Sequence, residues 1–223
     1  MHHLKELIRV VTKNKVKRIE MIGNPTNHAS NIQRLYEGIY DGRYNSDEEA
    51  AEGIYQEGDY TQIYYTRLKR QLFKRLINTV FFIDINQPGF NDYQKAYYSC
   101  YKDYAAIKIL IGRGARRTAI HLAEKTLKRA LKFEFTDLTL NLARDLRLHY
   151  GTVVGDMKTY SQYKNLVNEH QEILFAEQRV EELYTDLAIH YVNSKATKIE
   201  VKSIAEDYVE ELETLIQKHN SYL

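Results

Sequence analysis

The chain has few of the residues that crosslink a protein or fix its turns. Among 223 residues there is one cysteine, Cys100, and there are two prolines and no tryptophan. A single cysteine excludes an internal disulfide, which is typical of proteins that work in a reducing compartment. The scarcity of proline favours a mostly helical chain, because proline interrupts the helical hydrogen-bond pattern.

The sequence also lacks long apolar runs. Its longest apolar stretches, residues 80–83 and 109–111, are far shorter than the roughly 18 residues that a membrane-spanning helix needs. The first residues have neither the apolar core nor the small-residue cleavage site of a secretion signal. We therefore expect a cytoplasmic protein without a membrane partner.

Charged side chains are abundant, and their two signs are nearly balanced. The chain has 32 lysine and arginine residues and 30 aspartate and glutamate residues, which gives a formal net charge of +2. Basic residues cluster at 13–18, 67–75 and 113–117, whereas acidic residues cluster at 206–213. Such clusters can guide a charged partner, but they also occur on solvated helix faces.

Helical periodicity and capping residues predict four helices in the first 88 residues. Ser30 or Asn31 can cap the second helix, and Ser46, with Glu49 at the capping-box position, is a strong start for the third. The predicted helices span residues 4–20, 31–40, 46–56 and 60–84.

A spacing of 41 residues recurs in the rest of the chain. The sequence Asp-Leu-Arg-Leu-His-Tyr at 145–150 returns as Asp-Leu-Ala-Ile-His-Tyr at 186–191. The same offset relates Gly114, Gly155 and Ala196, each of which falls in a predicted turn. A fixed period of this size is typical of stacked helical hairpins, and glycine suits the positive φ at which many helices end.

The period divides the second part of the chain into three hairpins. It requires a bend at 169–180, although this segment has no glycine or proline and would also permit one long helix. The predicted hairpins pair residues 91–111 with 115–132, residues 135–151 with 157–173, and residues 176–193 with 198–220.

Residues 114–125, Gly-Ala-Arg-Arg-Thr-Ala-Ile-His-Leu-Ala-Glu-Lys, resemble the turn and second helix of a tetratricopeptide repeat. Gly114 and Ala119 match the family's glycine and the small residue at which its two helices pack closely. The period here exceeds the family's usual period of about 34 residues, and the family's first-helix tryptophan is absent. The resemblance implies an all-α protein with a solenoid of three antiparallel tetratricopeptide-like hairpins at 90–223. Residues 1–88 do not follow the 41-residue period, and we expect them to form an irregular N-terminal helical subdomain or an atypical cap of the solenoid.

Catalytic signatures are absent from the sequence, which has no His-Glu-x-x-His, phosphate-binding glycine loop or Gly-x-Ser-x-Gly elbow. Asp145/His149 and Asp186/His190 each place a carboxylate and an imidazole on one helix face. Neighbouring repeats lie on the order of 10 Å apart, too far for both pairs to bind one ion, so a local Asp–His pair in each helix is the simpler interpretation. We expect Cys100 to be a buried structural thiol. We therefore expect no enzyme activity, catalytic residue, metal site or cofactor.

The repeat architecture predicts a noncatalytic scaffold, adaptor or regulatory subunit that binds a protein or peptide. Helical solenoids form concave surfaces, and the first helix of each hairpin would line the groove. Aromatic side chains would supply contact area, and basic side chains would select acidic groups. The candidate partner-binding residues are Tyr97, Tyr101, Tyr104, Asn141, Arg144 and Tyr184.

Two further interactions are compatible with the charge pattern. Nucleic acid is the alternative partner, held by Arg67, Arg70 and Arg75 of the basic helix at 60–84, although the nearly balanced total charge weakens this interpretation. In it, Tyr60, Tyr64 and Tyr65 would stack on bases. The acidic helix at 198–220 either caps the solenoid, forms a homodimer through the C-terminal hairpin, or is followed by more of the natural chain.

Overall fold

The computed structural model describes residues 1–13, 30–55, 61–193 and 198–218. Over these ranges the protein is all-α, with nine α-helices, one π-helical turn and no strand, which confirms the predicted all-α class. None of the helices in the described ranges is long and apolar enough to cross a bilayer. The chain divides into two compact units, Met1–Phe90 (unit 1) and Asn91–Leu223 (unit 2).

Unit 1 has three short helices that pack on one longer helix. Its core is formed by aliphatic side chains from each of them, including Leu4, Leu35, Ile54 and Leu72. Its helices are α1 (His2–Lys13), α2 (Asn31–Tyr40), α3 (Asp47–Ile54) and α4 (Thr61–Val80).

The predicted caps of α2 and α3 are present. The Ser30 hydroxyl accepts a hydrogen bond from the backbone N–H of Gln33 at 3.3 Å, and the Ser46 hydroxyl accepts one from that of Glu49 at 3.1 Å. The Glu49 carboxylate accepts a bond from the backbone N–H of Asn45 at 2.7 Å, one residue before the cap. In a capping box the Glu49 carboxylate would accept its bond from the backbone N–H of Ser46, so here this bond is displaced by one residue.

The ends of the helices in unit 1 differ from the predicted ends. Of the predicted helix at 4–20, α1 accounts for the part through Lys13, and the rest lies outside the described residues. Helix α4 ends at Val80, four residues before the predicted end. The backbone N–H groups of residues 81–83 bond to carbonyls three residues back, as in turns, and the α-helical pattern does not continue.

Unit 2 is a row of helices in which each contacts the next, and α5 also contacts α7. Buried alanines, including Ala119, Ala123 and Ala130 of α6, allow the helices to approach closely. Cys100 is buried in the same core, as predicted. The elements are α5 (Asp92–Gly112), α6 (Arg116–Lys132), α7 (Thr136–His149), a π-helical turn (Tyr150–Val154), α8 (Met157–Asn193) and α9 (Lys198–Lys218).

Two of the predicted glycine turns have the expected backbone. Gly114 has a φ of +81° and Gly155 a φ of +74°, in the region that side chains with a Cβ rarely adopt. The third equivalent position, Ala196, lies outside the described residues.

The predicted bend at 169–180 is wrong, because α8 is one helix from Met157 to Asn193. Nothing in the segment interrupts helical hydrogen bonds, and the helix buries Val167, Ala176 and Leu183 along its length. The second helix of the second predicted hairpin and the first helix of the third are therefore one element. The 41-residue spacing (the echo) is present in the sequence, but it does not mark a break in the helix at residues 169–180.

Candidate functional site

Helices α5 and α7 lie side by side and form one surface of unit 2, named here the α5–α7 face. The Tyr101 hydroxyl donates a hydrogen bond to Asp137 Oδ2 at 2.5 Å, and Lys108 Nζ lies 3.0 Å from Asp145 Oδ1. These bridges join residues 36 and 37 positions apart in the same chain direction. The two helices are therefore parallel and one hairpin apart.

Three of the predicted binding residues form a row on the α5 side of this face. The rings of Tyr97 and Tyr101 have centroids 4.6 Å apart, and Tyr104 follows one turn later. Lys108 Nζ lies 5.7 Å from the centroid of the Tyr104 ring, a cation–π geometry. Tyr97 remains 38% exposed, so the row is accessible at its first member.

An aromatic cluster continues this row at the start of α5. The Phe135 ring is buried and meets Tyr93 at 5.2 Å and Tyr97 at 5.4 Å between centroids, in edge-to-face contacts. Phe133 stacks on Phe135 at 5.9 Å. Tyr93 lies four residues before Tyr97, so helical spacing could have identified it. The two phenylalanines lie at the α6–α7 turn, where no helical pattern predicts a common surface.

The α7 side of the face carries two further predicted residues, Asn141 and Arg144. The Asn141 side-chain amide donates to the Asp137 carbonyl at 2.9 Å. Arg144 is exposed and forms no ion pair with any residue that the structure describes. One turn further, Leu148 is 63% exposed, and sequence reasoning missed it. The face therefore combines aromatic and aliphatic surface with the guanidinium group of Arg144.

Tyr184 lies on α8 and is not part of the α5–α7 face. The Thr136 hydroxyl at the first turn of α7 bonds Glu177 of α8 at 2.6 Å. Tyr184 is seven residues later on α8, which places it about 10 Å beyond the start of α7. It is 73% exposed. Because α8 is continuous, its second half does not lie beside α7 as a third hairpin would.

The protonation of the α5–α7 face is fixed at neutral pH. Burial and the hydrogen bond to Asp137 raise the pKa of Tyr101. Burial, together with the nearby Asp145 carboxylate, also raises the pKa of Tyr104. The hydrogen bond from Lys108 to Asp145 raises the pKa of Lys108 despite its partial burial. The face therefore presents neutral phenol groups beside a fixed ion pair.

The residues of the nucleic-acid interpretation lie on α4 in unit 1. Arg67 and Arg70 are exposed, whereas Arg75 is half-buried. Tyr65 is 1% exposed and donates a hydrogen bond to Asp47 at 2.7 Å, so its predicted role in base stacking is wrong. Its position on α4 directs the ring into the core of unit 1. Tyr60 lies outside the described residues.

The echoed Asp–His pairs do not form the predicted local contacts where they are described. Asp145 is paired with Lys108, and His149 Nδ1 is buried without a hydrogen-bond partner. Burial and the nearby Arg116 lower the pKa of His149. The His190 side chain lies outside the described residues. In the part of the chain that the structure describes, no group of three or more potential metal ligands comes together.

Comparison of the chain with models of protein families found no match, and neither did searches of curated proteins and solved structures.

Proposed function

We propose that the protein is a noncatalytic scaffold, adaptor or regulatory subunit that binds an extended protein segment on the α5–α7 face. The observation that carries the proposal is the row of Tyr97, Tyr101 and Tyr104 beside Arg144, with no described ion-pair partner for that arginine. Parallel first helices separated by a second helix are also the arrangement by which tetratricopeptide-like solenoids form binding grooves.

The tyrosine row suits recognition because its members are already ordered. Tyr101 is held by Asp137, and Tyr97 by its contacts with Tyr101 and Phe135. Tyrosine provides a large contact area while losing only two side-chain torsions on binding. Prior ordering lowers the entropy loss on association further. An extended peptide can therefore gain affinity on this face without rearranging it.

Arg144 defines the polar preference of the face. Lys108 is already neutralised by Asp145, and the Asp137 carboxylate already accepts the Tyr101 hydroxyl. A carboxylate on the partner can thus form a charge-assisted pair with the Arg144 guanidinium. Leu148, one turn away, offers apolar contact beside it. We expect bound segments to contain an acidic residue close to an apolar one.

A selection from a random peptide display library, followed by affinity measurements, tests this proposal. We expect Tyr104→Ala and Arg144→Glu each to weaken the binding of selected peptides by about tenfold, as central contact residues commonly do. Tyr184→Ala is the control for tyrosine, because Tyr184 is exposed away from the face. Lys128→Glu, on an exposed position of α6, is the control for charge.

The controls should bind like the unsubstituted chain. Two results would refute the proposal: selection of no specific peptide, or equal affinity of the face variants and the controls. Circular dichroism of each variant would show whether a loss of binding reflects a loss of folding.

Nucleic acid binding by α4 is the second candidate. It is supported by Arg67 and Arg70, which are exposed one turn apart close to the exposed Tyr64. Phosphate contacts by these arginines would make affinity fall steeply with salt. A salt-dependent complex with single-stranded DNA or RNA that Arg67→Glu/Arg70→Glu abolishes would favour this function. Binding unchanged by that double variant would remove α4 as the site.

A further inference from the structure

One end of unit 2 is strongly basic. Because α5 and α7 are parallel, the α5–α6 turn and the π-helical turn after α7 lie at the same end, and Arg116 is near enough to His149 to lower its pKa. Residues 108–117 and 144–158 contain seven basic residues and two acidic ones, Asp145 and Asp156. The cations that form no ion pair with a described residue at the two turns, named here the basic end, are Arg113, Arg116, Arg117, Arg147 and Lys158.

The three acidic residues near the basic end are already engaged. Glu124 of α6 accepts a hydrogen bond from the Tyr150 hydroxyl. Asp145 pairs with Lys108. Asp156 accepts hydrogen bonds from the backbone and side chain of Thr159 at the start of α8. They therefore leave the five cations of the basic end available to an external anion.

Apolar side chains accompany these cations. Val153 and Val154 are 51% and 53% exposed, and Met157 is 73% exposed. The turn that carries the valines is anchored, because the Tyr150 hydroxyl bonds Glu124 at 2.5 Å and its ring stacks on Tyr163 at 5.7 Å. The apolar side chains are consequently held outward on a fixed turn.

The outward side of α9 has the opposite charge. Glu206, Glu210 and Glu213 recur there at helical spacing, interleaved with Val209 and Ile216, which are 52% and 53% exposed. These five residues are named here the acidic face. Glu206 also pairs with the exposed Lys202, one turn earlier, at 3.5 Å. Residues 177–193 and 198–218 together contain ten acidic and four basic residues, so the surroundings are acidic as well.

Helix α8 keeps the basic end and the acidic face apart. It begins at the basic end with Met157, and Arg179 contacts Glu211 of α9 at 2.7 Å. Arg179 follows Met157 by 22 positions along the helix, a distance of roughly 33 Å. This separation exceeds the range of electrostatic attraction in physiological salt, about 8 Å. The two surfaces therefore cannot neutralise each other within one chain.

We infer that a second copy of this chain docks its acidic face on the basic end of the first. The two surfaces have charges of opposite sign, and each also carries exposed aliphatic side chains. A contact between them therefore gains from charge pairing and from apolar burial. A symmetric dimer through the C-terminal hairpins would instead oppose two acidic faces. The docking is head-to-tail, and successive copies can extend the assembly.

Sedimentation velocity of the full chain with two triple variants tests this inference. The first variant reverses the charge of the basic end with Arg113→Glu, Arg116→Glu and Arg117→Glu. The second reverses the charge of the acidic face and is specified below. A double reversal on α6, Lys125→Glu/Lys128→Glu, is the control for added negative charge. The acidic-face variant carries Glu206→Lys, Glu210→Lys and Glu213→Lys.

We expect the unsubstituted chain and the α6 control to associate with increasing concentration, and more strongly at low salt. Each triple variant alone should associate at least about tenfold more weakly. An equimolar mixture of the two variants should regain association, because the intact acidic face of one variant can dock on the intact basic end of the other. A sixfold variant that combines both reversals should associate again.

Three outcomes would overturn the inference. The unsubstituted chain could sediment as a monomer at every concentration, its association could be insensitive to both reversals, or the mixed variants could fail to pair. Binding of vesicles containing phosphatidylserine that only the basic-end reversal abolishes, without self-association, would assign the basic end to an anionic membrane surface instead. Failure of this assembly would leave the peptide-binding proposal for the α5–α7 face intact.

Discussion

Asp47, in the first turn of α3, accepts hydrogen bonds from three groups of unit 1, two of which lie on α4. Its carboxylate lies 2.7 Å from the Tyr65 hydroxyl, 2.7 Å from Lys69 Nζ and 3.1 Å from the terminal amine of Met1. Burial alone would raise the pKa of Asp47, but these hydrogen bonds outweigh it and lower the pKa to about 2. Asp47 therefore links α1, α3 and α4 through its charged form.

Replacement of Asp47 should expose this contribution to stability. Because the folded pKa of about 2 lies below the ordinary value of 3.8, the contribution is present above about pH 4 and disappears as pH falls through 2. We expect Asp47→Asn to lower the free energy of unfolding at pH 7 by about 1–2 kcal/mol, after allowance for solvent screening of a carboxylate that is 30% exposed.

Urea unfolding at several pH values would measure this difference, which should shrink between pH 4 and pH 2. Asp41→Asn is a matched control, because among the described residues Asp41 forms an ion pair only with the exposed Arg43. A difference for Asp47→Asn that stayed constant down to pH 2 would contradict the role assigned to its charge.

Tyr44 is held between two glycines of unit 1. A Cβ added at Gly38 would lie 2.1 Å from the Tyr44 ring, and one added at Gly53 would lie 2.6 Å from it. We expect Gly38→Ala to reduce the free energy of unfolding by about 1–3 kcal/mol, as overpacking does, because the ring cannot move away from one glycine without meeting the other. Chemical denaturation would measure the loss.

Gly112→Ala is the control for the loss of glycine, since nothing lies within 4 Å of its added Cβ. It should change stability little. Equal effects of the two substitutions would show that Tyr44 does not restrict the space at Gly38.

At the scale of elements, the continuity of α8 is the clearest departure from the repeat pattern. Spin labels at the exposed positions Lys164 and Glu182, in a Cys100→Ser background, would measure it by pulsed electron resonance. Eighteen residues of unbroken helix predict a Cα separation of about 27 Å. A markedly shorter or broad distance distribution would indicate a bend at 169–180.

Local signals predicted the starts and turns of several elements. Ser30, Ser46, Gly114 and Gly155 act through the backbone of their own segments, so their roles can be inferred without knowledge of the fold. The continuity of α8 could not be inferred in this way, because the echo suggests a break whereas the local residues permit a helix. Packing of α8 first on α7 and then on α9 decides between them.

The candidate site was predictable to a similar extent. The phase of the repeat placed all six candidate residues on the first helices of the predicted hairpins, and five of them, from Tyr97 to Arg144, lie on the α5–α7 face. The offset failed for Tyr184, because equivalence in sequence did not produce a separate third hairpin. Contacts across helices, such as those of Tyr65 and Asp137, depend on tertiary packing and gave no local signal.

At the scale of the whole molecule, a nearly neutral chain carries separated surfaces with different chemistry. The net charge is only +2, but a basic end and an acidic face lie at different positions along α8. The α5–α7 face carries a third set of residues, the tyrosine row and Arg144. This arrangement is suited to a protein that holds partners by surface recognition.

A double-mutant cycle across the α5–α7 face tests the central claim most directly. It combines Arg144→Glu in the protein with acid-to-lysine replacement in a selected peptide, and dissociation constants are measured for all four combinations. We predict that each change alone weakens binding by about tenfold and that the two together restore much of the affinity, because opposite charges again face each other. Independent losses that simply add would contradict contact between Arg144 and the peptide.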